Sequence, residues 1–456
     1  MIKKYYKVHF VGIGGIGMSG IAEVLLNLEY TISGSDVKDS EIIQRLKSKG
    51  AKINIGHKES NVSNVDVVVI SSAILSSNPE VIYSKKNNIP VIPRAEILAE
   101  LMRLKYGIAI AGTHGKTTTT SMFAVVFNEA GLDPTAVIGG KLNVFDSNAK
   151  LGKGDYLIAE ADESDGSFLH LTPTVAIVTN IDDDHLDYYH NMENLRSVFI
   201  DFINKVPFYG FSVLCIDDAN IRSILSYIDK KYITYGLQKK CDVEISSFSL
   251  RDFGSSFYVK YKNKGVGRFT LNVPGLHNIS NALSVIGASL ELGINVNKIK
   301  NGLRKFTGVH RRFEKIGESK GILIIDDYAH HPTEIMATLK AAKNLKREKV
   351  IAIFQPHRYT RSKLLYKKFG KVFKDIDIVI ITDIYPAGEK PLPDVSAELI
   401  VNSVRKYNKK VVYIKNKEDI PSYLVDVCKK DNLVITLGAG DIRKVGENFF
   451  EKLENK

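Results

Sequence analysis

The sequence is short of long apolar runs and of cysteine. No uninterrupted apolar stretch approaches the roughly 18–20 residues that a membrane-spanning helix needs, so a soluble, intracellular protein is expected. The three cysteines, Cys215, Cys241 and Cys428, are far apart, odd in number and without CxxC spacing. They support neither a disulfide framework nor a zinc site, and they fit a reducing cytoplasm. The amino-terminal lysines precede an apolar run, but glycines break it and Glu23 and Asp36 follow, which marks a strand and turn and not a signal peptide. Low-complexity tracts are missing too, and 44% hydrophobic with 25% charged residues is an ordinary globular composition. The 456 residues suggest about three domains at roughly 150 residues each. Nor is the charge concentrated. The net charge is +12, yet the lysines are interleaved with Asp and Glu, and the densest cluster, Arg405-Lys406 with Lys409-Lys410, reads as a solvated edge. Such scattering favours solubility first, phosphorylated small substrates second and nucleic acid last.

Strand and helix signals alternate along the chain and restart twice. Residues 1–106 offer strands near 7–11, 30–33, 51–55 and 66–70, the last running into Ser71, with helices at 18–28 and 40–49. Residues 107–307 begin again with a strand at 107–111, carry buried-type runs at 156–159 and 175–179, and add a β-rich stretch at 242–273. Residues 308–456 hold strands near 322–325, 350–354, 376–382, 410–414 and 433–437. This pattern predicts an α/β protein of three domains: a Rossmann-like first domain, a central P-loop ATPase-type domain with an added β-sheet, and a Rossmann-like third. Ligands of such parallel sheets sit at the carboxyl ends of the strands.

The most informative stretch is Gly112-Thr113-His114-Gly115-Lys116-Thr117-Thr118, between a strand and a helix. Glycines let backbone N–H groups face phosphate oxygens, and the helix adds its positive end. Lys116 is placed to reach the β- and γ-phosphates of ATP, and Thr117 to hold Mg²⁺. The position where the general GxxxxGK[ST] loop has its first glycine is Ile110, so this is a shortened form. Glu160 lies just past a strand end, where a metal-binding carboxylate belongs, but Asp162, Glu163 and Asp165 follow closely and compete for that role. His185 ends an acidic cluster, 182–184, beside the expected phosphate site, which favours metal or phosphate contact.

Gly12, Gly14 and Gly17, with Asp36 downstream, form a second and weaker nucleotide signal. Alone it is compatible with NAD, a nucleotide-sugar diphosphate or no ligand. An NAD-dependent oxidoreductase and an ATP-switched binding module therefore remain alternatives. The stronger loop at Gly112 leaves the first turn available for a different diphosphate.

Taken together, the motifs resemble the Mur ligase family. They are GIGGIGMSG at 12–20, GTHGKTTT at 112–119, EADESD at 160–165, DDDHLDY at 182–188, HNISNAL at 277–283, HRRF at 310–313, DDYAHHP at 326–332 and QPHRYTR at 355–361. They occur in the family's order and span essentially the whole chain. The resemblance implies an ATP- and Mg²⁺-dependent carboxylate–amine ligase of peptidoglycan synthesis. On that resemblance the expected reaction would join L-alanine to the lactyl carboxylate of UDP-N-acetylmuramate through an acyl phosphate. The resemblance assigns UDP-sugar, ATP and amino acid to 1–106, 107–307 and 308–456 in turn. By resemblance Gly12, Gly14, Gly15 and Gly17, with Asp36 and Ser71, serve the UDP-sugar. Thr117 and Glu160 would hold a first metal and His185 a second near the substrate carboxylate, and Asn278 and Asn281 pair for nucleotide and active-site binding. Arg312 and Asp327 close over ATP, while Tyr328, His330, Arg358 and Arg361 fix alanine and the lactyl carboxylate. On residue type alone, Asn278 would be a helix cap, Arg358 and Arg361 surface charges, and Tyr188, Tyr189 and His331 packing groups. Many members carry a carbamylated lysine about fifteen positions after the histidine that matches His185; here Ile200 stands there, and no carbamate is expected. A relative that recycles a murein peptide onto the same sugar nucleotide is a further alternative. Its first glycine turn differs from GIGGIGMSG, which favours the alanine-adding branch.

Overall fold

The computed structural model describes residues 6–71, 73–142, 147–238 and 240–455. Two compact units emerge: 1–248 with 257–270 and 279–307, and 249–256 with 271–278 and 308–456.

The first unit holds two sheets. One is five-stranded and parallel, in the order Lys52–Ile55, Thr31–Asp36, Lys7–Val11, Val67–Ile70, Val91–Pro93. Its chain order reverses direction between Lys7–Val11 and Val67–Ile70, whose last residues, Val11 and Ile70, are partners. The glycine turn and Ser71 therefore leave the sheet side by side, at the topological switch point where such sheets bind ligands. The turn opens helix Ile16–Asn27, with Gly15 at its N-cap and no side-chain cap. That helix begins two residues earlier than the apolar pattern indicated. The short strand Val91–Pro93 carries too few residues to announce itself.

The second sheet has ten strands around Tyr106–Ala111, which lies between Val175–Val178 and Tyr156–Glu160. These three strands are parallel and apolar on both faces, as expected of a sheet covered on both sides. All three end at one rim, where Gly112, Ala161 and Thr179 follow. The expected β-rich stretch is a meander, Val243–Arg251, Gly254–Tyr261 and Lys264–Leu271, joined to the same sheet. Helix Lys116–Glu129 is buried along most of its length and packs against helix Val296–Lys305. There the two approach so closely that a Cβ at Gly302 would stand 2.6 Å from Val126 Cα.

The second unit is a six-stranded sheet in the order Glu314–Ser319, Ile322–Asp327, Asn432–Leu437, Lys349–Phe354, Ile378–Ile381, Val411–Tyr413, antiparallel only at its first pair. Its two apolar cores lie on opposite faces. Helix Pro332–Asn344 starts from a capping box in which His331 accepts the Thr333 N–H and Glu334 reaches back to the His331 N–H. His331 is thus a cap and a packed group, with 1% of its surface exposed.

Gly302→Ala should destabilise the protein by about 1–3 kcal/mol, because the added methyl meets backbone rather than a movable side chain. Thermal unfolding of the free protein checks it, and an unchanged midpoint would show that the helices can separate at no cost.

Candidate active site

The phosphate loop is clamped to the end of strand Val175–Val178. Thr113 N–H donates to the Asn180 carbonyl (3.1 Å), and His114 N–H donates to Asn180 Oδ1 (2.8 Å). The His114 carbonyl accepts from the Thr179 hydroxyl (2.6 Å) and the Asn180 amide (3.0 Å). Asp182 N–H donates to Thr113 Oγ1 (2.9 Å), and the His114 ring meets Asp182 Oδ2 at 3.0 Å. Both loop glycines are required. Gly112 has φ 126° and Gly115 φ 84°, and a Cβ on Gly115 would stand 2.7 Å from Asn281 Oδ1. Asn281 is thus laid directly on the loop, while Asn278 anchors its own helix by donating to the Pro274 carbonyl at 2.7 Å.

Past the loop, helix Lys116–Glu129 presents its first turn, with Thr118 half-buried and no capping side chain. Its free N–H groups are an anion site. Lys116 Nζ donates to the Gly112 carbonyl (2.7 Å) and lies 2.8 Å from Glu163. Burial alone would lower its pKa, but Glu163, Asp162 and Glu160 outweigh that and hold the ammonium above the ordinary lysine value.

The structure separates the four acidic candidates that the sequence left open. Glu160 accepts the Thr117 hydroxyl (3.2 Å) and the Gly139 N–H (2.9 Å). Asp162 pairs with Arg94 (3.1 Å), Glu163 with Lys116, and Asp165 caps the Ser167 N–H at 3.0 Å. A hydroxyl beside a carboxylate is a hard-oxygen pair suited to Mg²⁺, so Thr117 and Glu160 fit that ion. His185 stands at φ 57°, its N–H on Asp184 Oδ1 at 3.0 Å, so its bonds are local to its own turn. Tyr189 is buried, with its hydroxyl on the Glu163 carbonyl, and Tyr188 is exposed.

At the first glycine turn, Gly12 and Ile13 N–H groups donate to the Ser35 carbonyl (2.8 and 3.1 Å). Gly14 N–H donates to Asp36 Oδ2 (2.9 Å). Beneath it lies a buried polar cluster that sequence reasoning missed. Glu80 accepts the Ser35 hydroxyl (2.6 Å) and the Asn61 amide (2.5 Å) and lies 3.2 Å from His57 Nδ1. Burial would raise its pKa, but the His9 ring 3.7 Å away and hydrogen bonds from Ser35 and Asn61 overcome that and hold the carboxyl at about 2.

In the second unit, Asp327 accepts the Phe313 N–H (2.9 Å), the Ala329 N–H (2.7 Å) and the Thr338 hydroxyl (3.3 Å). It thereby ties the segment carrying Arg312 to the one carrying Tyr328. Its burial pushes the carboxyl up to about 6, with Arg312 opposing. Tyr328 lies between the guanidinium groups of Arg311 and Arg312, at 5.0 and 5.2 Å. Arg312 also stands 3.6 Å from Glu334. Arg311, beside Arg312 in the same motif, donates to Asp326 and to the Gly438 and Gly440 carbonyls. His330 Nδ1 donates to the Tyr328 carbonyl (3.0 Å), a bond that leaves Nε2 unprotonated in the neutral ring. His357, another omission, stacks against Tyr385, contacts the His330 ring and meets Arg361 Nη1 at 3.4 Å. Arg358 is exposed at the head of helix Tyr359–Val372, with φ 68°. A non-glycine residue held there stores strain, a feature that gathers at functional sites.

Matches to family models cover the chain in three consecutive parts. Residues 7–106 match the Mur ligase family catalytic domain, 110–289 the Mur ligase middle domain and 311–440 the Mur ligase glutamate ligase domain. The chain belongs to the Mur ligase family. Among its relatives, UDP-N-acetylmuramate–L-alanine ligase of Trichlorobacter lovleyi is 54% identical over 98% of this chain and 99% of its own length. The enzyme of the same name from Geotalea uraniireducens is 53% identical, over 100% and 99%. UDP-N-acetylmuramate-alanine ligase from Thermotoga maritima superposes with a TM-score of 0.83 at 30% identity, covering 99% of both chains.

Burial, with the His330, Arg361 and Arg358 charges adding, lowers the His357 pKa to about 3, from an ordinary 6.5. Its folded pKa is depressed, so its contribution to stability is intact above about pH 6.5 and is lost as the pH falls below that. Asp327 acts oppositely: its raised carboxyl costs stability as the pH climbs from about 4 to about 6. Between pH 6.5 and 4, His357→Gln should lose about 1–2 kcal/mol less stability than the parent. Parallel denaturant curves for parent and variant would exclude this assignment.

Proposed function

We propose that the chain joins L-alanine to the lactyl carboxylate of UDP-N-acetylmuramate, converting ATP to ADP and phosphate, as a cytoplasmic step of peptidoglycan synthesis. The observation that carries this reading is the 54% identity, over nearly the whole of both chains, to a UDP-N-acetylmuramate–L-alanine ligase. The site supports it. Residues 1–106 take the UDP-sugar, with Gly12, Gly14, Gly15, Gly17, Asp36 and Ser71 around it. Residues 107–307 take ATP on the loop from Gly112 to Thr118, with Asn281 packed against it and Asn278 securing the same helix. Residues 308–456 take the amino acid.

The chemistry follows from a poor leaving group. A carboxylate cannot lose oxide, so one carboxylate oxygen attacks the γ-phosphorus and ADP departs. The alanine amine then attacks the acyl carbon, and phosphate leaves. Lys116 neutralises charge on the transferring phosphoryl group. Thr117 and Glu160 would hold one Mg²⁺ and His185 a second metal ion near the substrate carboxylate, which would supply additional neutralisation of that charge. Arg312 and Asp327 serve the nucleotide, Asp327 by fixing the segment that carries Arg312. Tyr328, Arg358 and Arg361 orient alanine and the lactyl carboxylate. His330 Nε2 is the acceptor for the ammonium proton.

No helix among the described residues is long and apolar enough to cross a membrane. The interleaving of lysine with Asp and Glu along the sequence favours small anionic substrates over nucleic acid. A murein peptide ligase from Psychrobacter arcticus has a TM-score of 0.72 at 24% identity, a likeness of fold. The peptide-recycling reading therefore ranks second. An oxidoreductase would leave the Gly112 loop without a purpose.

The deciding experiment is phosphate release with ATP, UDP-N-acetylmuramate and a panel of L-amino acids, each component omitted in turn. Release only when all three are present, and with alanine preferred, is expected. Release with a tripeptide but not alanine would transfer the chain to the recycling reaction. Lys116→Ala should lower turnover at least about 1000-fold while UDP-sugar binding persists. Equal loss of sugar binding would refute the domain assignment. Arg361→Ala should raise the KM for alanine about 10- to 100-fold with little change for ATP. A rise for ATP instead would remove Arg361 from the amino-acid site.

A further inference from the structure

Arg94, the first residue of helix Arg94–Arg103, places its guanidinium between two sites. Nη2 lies 3.1 Å from Asp162 Oδ2, at the rim of the ATP-binding sheet. Nη1 lies over the first glycine turn, where a Cβ on Gly17 would fall inside its van der Waals radius. The third glycine of such a turn ordinarily serves close packing of helix on strand. Here it makes room for a cation. Together Arg94, Gly17, Gly139, Glu160 and Asp162 line a cavity of about 250 Å³.

The turn needs that cation if it is to take a diphosphate. Helix Ile16–Asn27 has no charged side chain in its first turn, so its own offering is a dipole worth about half a charge. Asp36 already places a carboxylate on the Gly14 N–H. A diphosphate adds more negative charge at the same spot. An Arg fork binds phosphate oxygens in pairs and more strongly than it holds one carboxylate oxygen. The Arg94 and Asp162 side chains are 30% and 40% exposed, so water partly screens the pair, and the Lys116 charge continues to stabilise the Asp162 carboxylate when Arg94 leaves it.

We infer that Arg94 binds the diphosphate of the sugar nucleotide, resting on Asp162 in the free protein and exchanging it for phosphate oxygens when the ligand enters. This rests on the reading of residues 1–106 as the UDP-sugar domain.

The test uses UDP itself as the probe, titrated calorimetrically into the full chain. Arg94→Ala should weaken UDP binding roughly 10- to 100-fold, and Arg94→Lys, which keeps a point charge, by a smaller factor. Asp162→Asn, which frees the guanidinium, should bind UDP as tightly as the parent or more tightly. In turnover, Arg94→Ala should raise the KM for the sugar nucleotide far more than it lowers kcat. The thermal unfolding midpoint and circular dichroism of each variant report an intact fold. Should Arg94→Ala fail that control, the comparison of Arg94→Lys with Asp162→Asn decides. If Arg94 and Asp162 variants weaken UDP alike, or if the Arg94 variants leave it unchanged, Arg94 is only a structural bridge and the inference falls. Arg94-dependent UDP binding in a parent protein that releases no phosphate would instead refute the ligase reading and leave this one standing.

Discussion

The ion pair between Lys116 and Glu163 is the constraint around which the glycine loop from Gly112 to Thr118 is arranged. Lys116 is 15% exposed and its partner 2%, so neither charge has water to fall back on. Removing one member of such a pair strands the other, at about 3–5 kcal/mol. The pair therefore holds the strand end, the loop and the segment 160–165 together, with Gly112 supplying a carbonyl to the same ammonium. It also sets the terms on which phosphate enters. On the proposed reading, a nucleotide phosphate must offer Lys116 at least what Glu163 and the loop carbonyls offer. Neighbouring Glu160 takes its hydrogen bonds from Thr117 and the Gly139 N–H, so it acts on the lysine only through its charge.

The same logic of committed partners explains how rigid the loop is before any ligand arrives. Thr113, His114, Thr179, Asn180 and Asp182 satisfy one another through short hydrogen bonds, leaving the first turn of helix Lys116–Glu129 as the part with free N–H groups. Ordering costs are thus met by folding, not by binding. In the second unit Asp327 plays the corresponding part, spending its carboxylate on two backbone N–H groups and a hydroxyl.

What was legible in the sequence was whatever local chain chemistry dictates. Glycine turns between an apolar strand and a helix, and acidic residues just past strand ends, have short-range causes, so Gly12–Gly17, Gly112–Thr118 and the acidic run 160–165 could be placed before any coordinates. The choice among Glu160, Asp162, Glu163 and Asp165 could not. Consecutive acidic residues leaving a strand differ in which distant side chain each meets, and Thr117, Lys116 and Arg94 come from other parts of the chain. Glu80 and His357 were missed for the same reason: their surroundings are assembled from several strands and loops. His331, adjacent to His330 in sequence, became distinguishable only once one ring capped a helix and the other fixed its tautomer on the Tyr328 carbonyl.

The glycines themselves carry more of this tertiary information than their role in turns suggests. Gly115 is required by its positive φ, but Asn281 also lies on it. Gly14 has an ordinary backbone, yet a Cβ there would stand 2.9 Å from Asp36 Oδ2, and one on Gly17 would collide with Arg94. A glycine motif of this kind records two requirements at once: a backbone that exposes N–H groups to phosphate, and an absent side chain whose place is taken by a charged or amide group from elsewhere. The spacing reveals the first requirement. The second appears only when the missing Cβ is put back and the atom it meets is named, and that atom is Asp36, Arg94 or Asn281, each at the edge of an expected ligand.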